Sequence, residues 1–375
     1  LDILRDMVEE AFSSFDIPGI VRGQTVFLKP NFVRPDYRFN PAVSTDPRMI
    51  LTVGSVLKDS GARTVAVGDN PGKGLTFREA MKSIPGSNDW SRYGIEPFYY
   101  DEFPAVEVDI PGAVLFKRMK VPERLLEFDR FVNLPKLKMH MHVGASFGIK
   151  NLYGLLLDEQ RMSFHRGDVH RKLVEILSRF RPDFTIVDGI WALEGQAPIC
   201  GEPVTDFNTV IAGEDPAAVD AAAAKVIGIA PIELGYLRLA EKAGLGQRCL
   251  KDIDLRGTDF RKIRRHLKRP VVSCAGAYDN CEVFELGACV GCMSSLRHAL
   301  DRLHFAGELE KLPEATYIIG EPGPDFQLPD KWEGELWLVG GCLDNIPDVD
   351  RIHRIPGCPP HFGEIIQAVK EWYEK

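Results

Sequence analysis

Four cysteines in the C-terminal part of the chain have a spacing that suits a metal centre. Cys289 and Cys292 form a C-x-x-C pair, so both thiolates can reach one centre, and Gly291 between them permits a tight turn. Cys342 follows two glycines after an apolar segment, and Cys358 lies between a glycine and a proline. These four residues are therefore the predicted metal ligands.

The cysteine pattern predicts an iron–sulfur cluster of the 4Fe-4S type. Zinc ribbons usually contain two close C-x-x-C pairs, whereas Cys342 and Cys358 stand apart, and a cysteine followed by proline is common at cluster sites. A helix predicted after Cys358 would direct backbone N–H groups toward anionic sulfur. Zinc and a redox dithiol remain alternatives, and Cys274 or Cys281 could replace one ligand.

Residues 355–360, Ile-Pro-Gly-Cys-Pro-Pro, together with Gly341-Cys342, resemble a known cluster loop. The loop is that of the small subunit of nickel–iron hydrogenases and of the quinone-reducing subunit of respiratory complex I. The resemblance implies a cluster ligand at Cys358 and implies nothing about hydrogenase activity.

Lysines, asparagines and histidines form a second group, which follows predicted strands in the N-terminal part of the chain. A cluster of such side chains inside an acidic protein predicts a pocket for a small anionic ligand, such as a carboxylate or a phosphate. The alternative is that these loops are simply solvated. The predicted substrate-binding residues are Lys29, Asn31, Lys136, Lys138, Lys150, Asn151 and Asp188.

His140 and His142 are the predicted catalytic residues of this pocket. Being two positions apart, they would share one face of a strand, and either could transfer a proton to the ligand. A histidine metal site completed by His165 or His170, or a purely structural role, stays open.

Other common cofactor motifs are missing from the sequence. Residues 68–74 lack the G-x-x-x-x-G-K-[ST] spacing of a phosphate loop, and no G-x-G-x-x-G fingerprint occurs. Residues 144–148 only approximate a nucleophilic-serine elbow. The sequence supports neither ATP, NAD nor serine-nucleophile chemistry.

Helical and strand patterns alternate in the segment that must position the lysines. The alternation predicts an α/β fold, a mostly parallel sheet with flanking helices and with functional loops at the carboxyl ends of the strands. The helix at 47–58 would have Asp46 as its N-cap. The predicted helices are 1–15, 47–58 and 216–227, and the predicted strands are 25–28, 64–69, 130–134, 184–188 and 207–212.

A smaller C-terminal α/β domain is predicted to carry the cysteines. We expect domains at 1–255 and 256–375, with the basic residues 256–269 as a linker or a solvated helix. The smaller domain would contain strands at 270–273, 315–320 and 335–339 and helices at 294–303 and 361–374.

Composition limits the classes of partner. A net charge of -8 with a pI near 5.7 argues against binding to duplex nucleic acid. No apolar run approaches the length needed to span a bilayer, and the first residues show no secretory signal, so a cytoplasmic location is expected. The chain does not begin with methionine, so a preceding targeting segment stays open.

Several strings resemble the family catalogued as domain of unknown function 362, in consistent order over roughly residues 20–250. The resemblance implies a fold and a site but no settled reaction, and members are often found with iron–sulfur segments. The strings are KPN at 29–31, STDP at 44–47, GDNPGKG at 68–74, PKLKMHMH at 135–142, GIKNLYG at 148–154, DGI at 188–190, EG at 194–195, GEDP at 213–216 and VDA at 219–221.

Together these features predict an iron–sulfur protein that acts in electron transfer or in reduction of a small anionic substrate, with a redox protein as partner. Whether the chain is an enzyme stays open. The alternative is a non-enzymatic binding or maturation protein with a structural cluster or zinc.

Overall fold

A computed structural model describes residues 2–34, 37, 39–72, 75–328, 331–332, 334–347 and 351–373. The chain forms two compact units. The larger comprises Leu1–Arg161 and His170–Arg269, and the smaller comprises Met162–Val169 and Pro270–Lys375.

Ten helices and eleven strands are described in the first 269 residues. The helices are α1 Asp2–Ser14, α2 Ile17–Val21, α3 Pro47–Asp59, α4 Phe77–Met81, α5 Gly148–Asn151, α6 Asp158–Phe164, α7 Val169–Arg179, α8 Pro216–Val226, α9 Gly235–Lys242 and α10 Phe260–Ile263. The strands are β1 Thr25–Lys29, β2 Thr64–Val67, β3 Ile95–Pro97, β4 Ala105–Asp109, β5 Arg118–Pro122, β6 Arg130–Asn133, β7 Lys136–His140, β8 Gly144–Ser146, β9 Phe184–Glu194, β10 Glu202–Val204 and β11 Thr209–Gly213.

The larger unit is built on a mostly parallel sheet, which confirms the predicted fold class. Its order is β3-β2-β1-β6-β9-β7-β8, with β10 and β11 also paired to β9, and only β8, β10 and β11 are antiparallel to their neighbours. A separate antiparallel pair joins β4 and β5. Apolar side chains of β1, β2 and β6 pack against α1 and α3 in one core.

Local sequence explains the start of α3. The Asp46 carboxylate accepts a hydrogen bond from Arg48 N at 2.9 Å, and Pro47 occupies the first turn, where a missing N–H is harmless. The predicted N-cap is confirmed.

The register of the sheet gathers polar residues at the carboxyl ends of β1 and β6 and just beyond them. Lys29, the last residue of β1, lies beside Asn133, the last of β6. Lys136, the first residue of β7, lies beside Asp188 within β9, past the end of β6. Ligands of open α/β sheets bind at this edge, so the fold brings the predicted polar residues to the expected place.

The smaller unit is a second parallel α/β layer. Its elements are β12 Cys281–Leu286, α11 Val290–Phe305, β13 Ala315–Gly320, β14 Glu335–Val339, β15 Ile352–Ile355 and α12 Phe362–Tyr373. The strands pair in the order β12-β13-β14-β15, and the apolar faces of α11 and α12, with Leu296, Leu300, Ile365 and Val369, pack on one side of the sheet.

Several predictions in the smaller unit were wrong. Residues 270–273 form no strand, and β12 and β15 were missed because charged residues interrupt both edge strands. Helix α11 begins at Val290, four positions before the predicted start, since Cys289 acts as its N-cap. The basic residues 256–269 belong to the larger unit and include the short helix α10.

None of the described helices is both long enough and apolar enough to cross a membrane.

Candidate functional site

Lys29 is neutralised inside the larger unit. Its Nζ lies 2.7 Å from Asp69 Oδ1, and neither side chain is more than 3% exposed. The other oxygen, Asp69 Oδ2, accepts from Phe32 N at 2.7 Å. Burial lowers the pKa of Lys29, and the carboxylate of Asp69 opposes this shift. This predicted substrate-binding lysine therefore already has an internal partner.

Lys136 is held in the same way. Its Nζ lies 2.9 Å from Asp188 Oδ2, and both side chains are fully buried. Asp188 also accepts from Asp46 N at 2.7 Å and from Ile190 N at 3.0 Å. The pair joins β7, β9 and the start of α3, so Asp188 positions Lys136.

Lys138 has no carboxylate partner within the described residues. Its Nζ donates to Asn31 Oδ1 at 2.7 Å and to the carbonyl oxygen of Val43 at 2.8 Å. Burial lowers the pKa of Lys138 well below its usual range, and the charges of Lys150 and Lys136 lower it further. A bound anion would reverse this shift.

Lys150 is the second buried lysine without a carboxylate in the described part of the chain. Its Nζ lies 4.2 Å from the centre of the Tyr153 ring, a cation–π contact. Burial lowers the pKa of Lys150 to about 7, and Arg161 and Lys29 contribute to the shift.

Arg161 adds a fifth buried cation that the sequence analysis missed. Its terminal nitrogens donate to the carbonyl oxygens of Pro71 and Asn70. Arg161 Nε is buried and has no hydrogen-bond acceptor among the described residues, and Asp158 Oδ1 lies 3.7 Å away. Nothing in its helical context distinguished this arginine from a solvated one.

A chain of side-chain amides links the strand ends. Asn31 Nδ2 donates to Asn151 Oδ1 at 3.0 Å, and Asn151 Nδ2 donates to Asn133 Oδ1 at 2.8 Å. Because Asn31 also accepts from Lys138, the network fixes that lysine. Asn31 and Asn151, both predicted to bind substrate, are brought together in this network.

Two buried hydroxyl groups near these cations have no hydrogen-bond partner within the described residues. They are Ser44 Oγ, which follows the Val43 carbonyl bound by Lys138, and Tyr100 Oη. Burial raises the pKa of Tyr100 well above its usual value, and nearby Asp69 adds to the shift. Buried polar atoms without partners are costly, so a ligand or water is the expected partner.

Close packing around the ion pairs explains two glycines. A Cβ at Gly154 would overlap Asp69 and lie 2.5 Å from Lys29 Nζ, and a Cβ at Gly148 would lie 2.9 Å from Asp220 Oδ1. Only glycine lets the backbone approach these side chains so closely.

The structure corrects the geometry of the two predicted catalytic histidines. His140 ends β7, but His142 lies in the following turn, so strand alternation does not place both rings on one face. His142 N donates to His140 Nδ1 at 3.2 Å, and the ring centres are 5.7 Å apart.

The two further histidines have other neighbours. His170 stacks on Tyr236, and His165 lies in the smaller unit, where its ring centre is 5.7 Å from that of His361.

The glycine-rich segment at 68–74 is only partly described. Gly68 N donates to the carbonyl oxygen of Leu28 at 3.2 Å, which ties the segment to β1. Lys73 and Gly74 lie outside the described residues.

In the smaller unit the four predicted metal ligands follow the carboxyl ends of parallel strands. Cys289 comes after β12 and stands at the N-cap position of α11 without a side-chain capping bond, and Cys292 lies in the first turn of that helix. Cys342 follows β14, and Cys358 follows β15. Parallel strands β12 to β15 end at one edge of the sheet, so this edge receives all four residues.

The four thiols lie within electrostatic range of one another. Burial raises the pKa of Cys292 to about 12, and Cys289, Cys342 and Cys358 contribute to the shift. Desolvation raises the pKa of Cys342, with contributions from Cys358, Glu321 and Cys289. These shifts mean that the thiolate forms repel one another and are disfavoured here unless a cation binds.

Backbone glycines bring two of the cysteine loops together. Gly341 N donates to the Gly357 carbonyl oxygen at 2.8 Å. Gly340 has a φ of 120°, and a Cβ there would lie 3.3 Å from Cys292 Sγ. The left-handed backbone and the close sulfur both require glycine at Gly340.

Cys274 and Cys281 occupy different surroundings. Cys281 is the first residue of β12, at the amino end of the strand. With a rise of roughly 3.3 Å per residue, it lies about 17 Å from the carboxyl end. Cys274 is buried in the core, with Sγ 3.9 Å from the carbonyl oxygens of Val272 and Met293. Burial raises the pKa of each thiol to about 12.

Across the described ranges, no three His, Cys, Asp or Glu side chains are grouped closely enough to hold a single metal ion.

Comparison with known proteins matches residues 26–225 to the family described as domain of unknown function (DUF362). A thylakoid-associated protein of Synechocystis sp. is 26% identical over 234 residues, which are 60% of this chain and 69% of that protein.

Among solved structures, the lactate racemase apoprotein of Thermoanaerobacterium thermosaccharolyticum matches with 14% identity and a TM-score of 0.38. The match covers 56% of this chain and only 52% of the racemase chain. A similarity of this size supports no argument about the fold or the activity of this chain.

Proposed function

This chain belongs to the family of domain of unknown function 362, and we propose that it is an iron–sulfur protein that binds a small anion. The larger unit would bind the anion, and the protein would act in electron transfer or in reduction of that anion. The observation that carries the proposal is that four cysteines distant in sequence follow the carboxyl ends of parallel strands, with the Cys342 and Cys358 loops joined by the hydrogen bond from Gly341 N to the Gly357 carbonyl oxygen.

Four cysteine thiolates would suit a 4Fe-4S cluster, in which each thiolate binds a different iron atom. Zinc, which needs four sulfurs about 2.3 Å from one ion, is the alternative. When bound, such a cluster supplies single electrons.

Charge balance supports the anion. Among the described residues, Asp69 pairs with Lys29, Asp188 pairs with Lys136, and the half-exposed Asp158 lies 3.7 Å from Arg161. Lys138 is buried and donates to two neutral oxygen atoms. Positive charge at Lys138 is therefore costly, and a bound anion would stabilise it.

His140 remains the proposed proton donor to the ligand, with His142 beside it. His140 ends the strand that also carries Lys136 and Lys138, which supports a place close to the anion.

The test of the cluster is iron and acid-labile sulfide analysis of anaerobically prepared protein. We expect about four of each per chain, with a broad thiolate-to-iron absorption band. Cys342→Ala should lose most of the iron, whereas the matched control Cys281→Ala should keep it. Full iron content in Cys342→Ala would refute the ligand assignment.

The test of the anion site is thermal unfolding with and without sulfate or oxalate at constant ionic strength. A ligand that binds only the folded protein stabilises it, so the wild type should unfold at a higher temperature. Lys138→Met should abolish this stabilisation, and an equal response in Lys138→Met and wild type would contradict the proposal.

One observation favours a second candidate, a binding or maturation protein with a structural metal site. Cys292 is buried among apolar side chains that join α11 to the sheet, so a cluster or zinc there would tie this helix to the core. In that case removal of the metal should unfold the smaller unit, and backbone amides of residues 270–373 should exchange faster with solvent. Cellular reductants should not change the oxidation state of the metal.

A redox protein partner and a cytoplasmic location remain proposals. The description "thylakoid-associated" applies to the Synechocystis relative.

A further inference from the structure

Lys150 differs from the other buried lysines of the larger unit in how its amine is held. Lys29 and Lys136 pair with carboxylates, and Lys138 donates to two oxygen atoms. Within the described residues the Lys150 amine has neither a carboxylate nor a hydrogen-bond acceptor, and it lies 4.2 Å from the centre of the Tyr153 ring. Its nitrogen is therefore not committed to an internal partner.

The surroundings of Lys150 favour the neutral amine. Lys29 and Arg161 are close enough to disfavour a third positive charge, and together with burial they lower the pKa of Lys150 to about 7. A lysine that is desolvated beside another cation is an activated nucleophile, because a large fraction carries a free lone pair at neutral pH.

The backbone on both sides of Lys150 is fixed. Gly148 N and Ile149 N donate to the two Asp220 oxygens at 2.7 and 3.0 Å, and Asn151 N on the other side donates to the carbonyl oxygen of Phe147 at 2.9 Å. A covalent catalyst needs such an orientation, because the attacking atom must stay near the reacting carbon.

Donors for a carboxylate lie in the same cluster. Arg161 Nε is buried without a hydrogen-bond acceptor among the described residues, and Lys138 has no carboxylate partner there. Ser44 Oγ is a further buried group without a partner in that part of the chain.

We propose that Lys150 is a covalent catalytic residue that forms an imine with a small 2-oxo acid. This inference rests on the proposed anion site, since Lys138 and Arg161 would hold the carboxylate while the Lys150 nitrogen attacks the neighbouring carbonyl carbon. The imine polarises that carbon toward addition of electrons, which agrees with reduction of the bound anion.

The covalent step balances without an oxidant or a reductant. The nitrogen lone pair forms the N–C bond, and the carbonyl π electrons move to oxygen, which takes up a proton. The resulting carbinolamine then loses its oxygen as water, the two amine protons having moved to oxygen, and a C=N bond remains.

The experiment is reductive trapping of the wild-type protein with pyruvate and cyanoborohydride, followed by intact mass and peptide mapping. Hydride addition converts an imine to a stable secondary amine. We expect one adduct per chain, mapped to Lys150, and no adduct with lactate, which lacks the carbonyl carbon. Lys117→Arg, which replaces an exposed lysine, should keep the adduct, and Lys150→Arg should lose it.

The mapping on wild-type protein decides the matter even if Lys150→Arg does not fold. No adduct, or an adduct spread over surface lysines, would overturn the inference. Stabilisation by sulfate or oxalate without an adduct would overturn the inference and leave the anion site standing. Absence of both effects would overturn the anion site as well.

Discussion

Lys29 Nζ and Asp69 Oδ1 lie 2.7 Å apart in an ion pair whose side chains are 0% and 3% exposed. The pair joins the end of β1 to the loop after β2, and Asp69 also holds the backbone of Phe32. A buried pair of this kind makes the strand ends rigid, and the other cations of the site are placed around it.

Asp69→Asn should lower the free energy of unfolding by about 3 kcal/mol, because it leaves Lys29 buried without its counter-charge. The matched control is Asp59→Asn at the exposed Arg5–Asp59 pair, where the loss should not exceed about 1 kcal/mol. Urea unfolding of the three proteins checks this, and equal losses in both variants would contradict the assigned role of the buried pair.

Asp220 should make stability fall as pH rises. Burial raises the pKa of Asp220 from 3.8 to about 8. The hydrogen bonds that Asp220 accepts from Gly148 N and Ile149 N oppose this rise. Between about pH 4 and 8 the folded protein therefore keeps a proton on Asp220 that the unfolded chain has released. The stabilisation from this proton is complete below about pH 4 and is lost as the pH rises to about 8.

Asp220→Asn removes this titration, so its stability deficit should be largest below pH 4 and shrink toward pH 8, by at most about 1.4 kcal/mol per pH unit. Urea unfolding of wild type and variant across that range is the measurement. A deficit that does not change with pH would show that Asp220 is ionised in the folded protein.

Lys150 should act in the opposite direction. Its pKa is lowered from 10.5 to about 7, so between these pH values the folded protein binds fewer protons than the unfolded chain, and stability rises with pH. Lys150→Met should lose this rise. Between pH 10 and pH 7 the free energy of unfolding of the wild type should fall, whereas that of Lys150→Met should fall less. The control Lys117→Met should keep the wild-type profile, and an identical profile in Lys150→Met would contradict a buried, unpaired amine.

Gly340→Ala should disrupt the cysteine edge of the smaller unit. The backbone φ of 120° disfavours any side chain, and the new Cβ would press on Cys292 Sγ. We expect iron content after anaerobic reconstitution to fall at least severalfold. Gly323→Ala, where a Cβ would meet no atom within 4 Å, is the control and should bind as much iron as wild type.

The sequence indicated the fold because the alternation of elements and the local caps act over short distances. Asp46 and Pro47 define the start of α3 by themselves, and the apolar segment at β1 requires a buried strand. The edge strand β12 was missed because Glu282 and Glu285 break its apolar pattern, and pairing with β13 outweighs that local signal.

The site could be predicted as a set of residue types but not as a set of roles. Lys29 and Lys136 looked equivalent to Lys138 and Lys150 in sequence, yet their carboxylate partners lie 40 and 52 positions away. Only the three-dimensional register decides which lysines are neutralised inside the protein. Arg161 gave no signal, because its significance is that it is buried.

Native mass spectrometry of anaerobically purified protein tests the central claim most directly, since it weighs whatever the folded chain holds. The account predicts a chain that carries the mass of one 4Fe-4S cluster, and it predicts loss of that mass in Cys358→Ala but not in Cys281→Ala. A chain that carries a single zinc ion, or a cluster that Cys358→Ala retains in full, would contradict it.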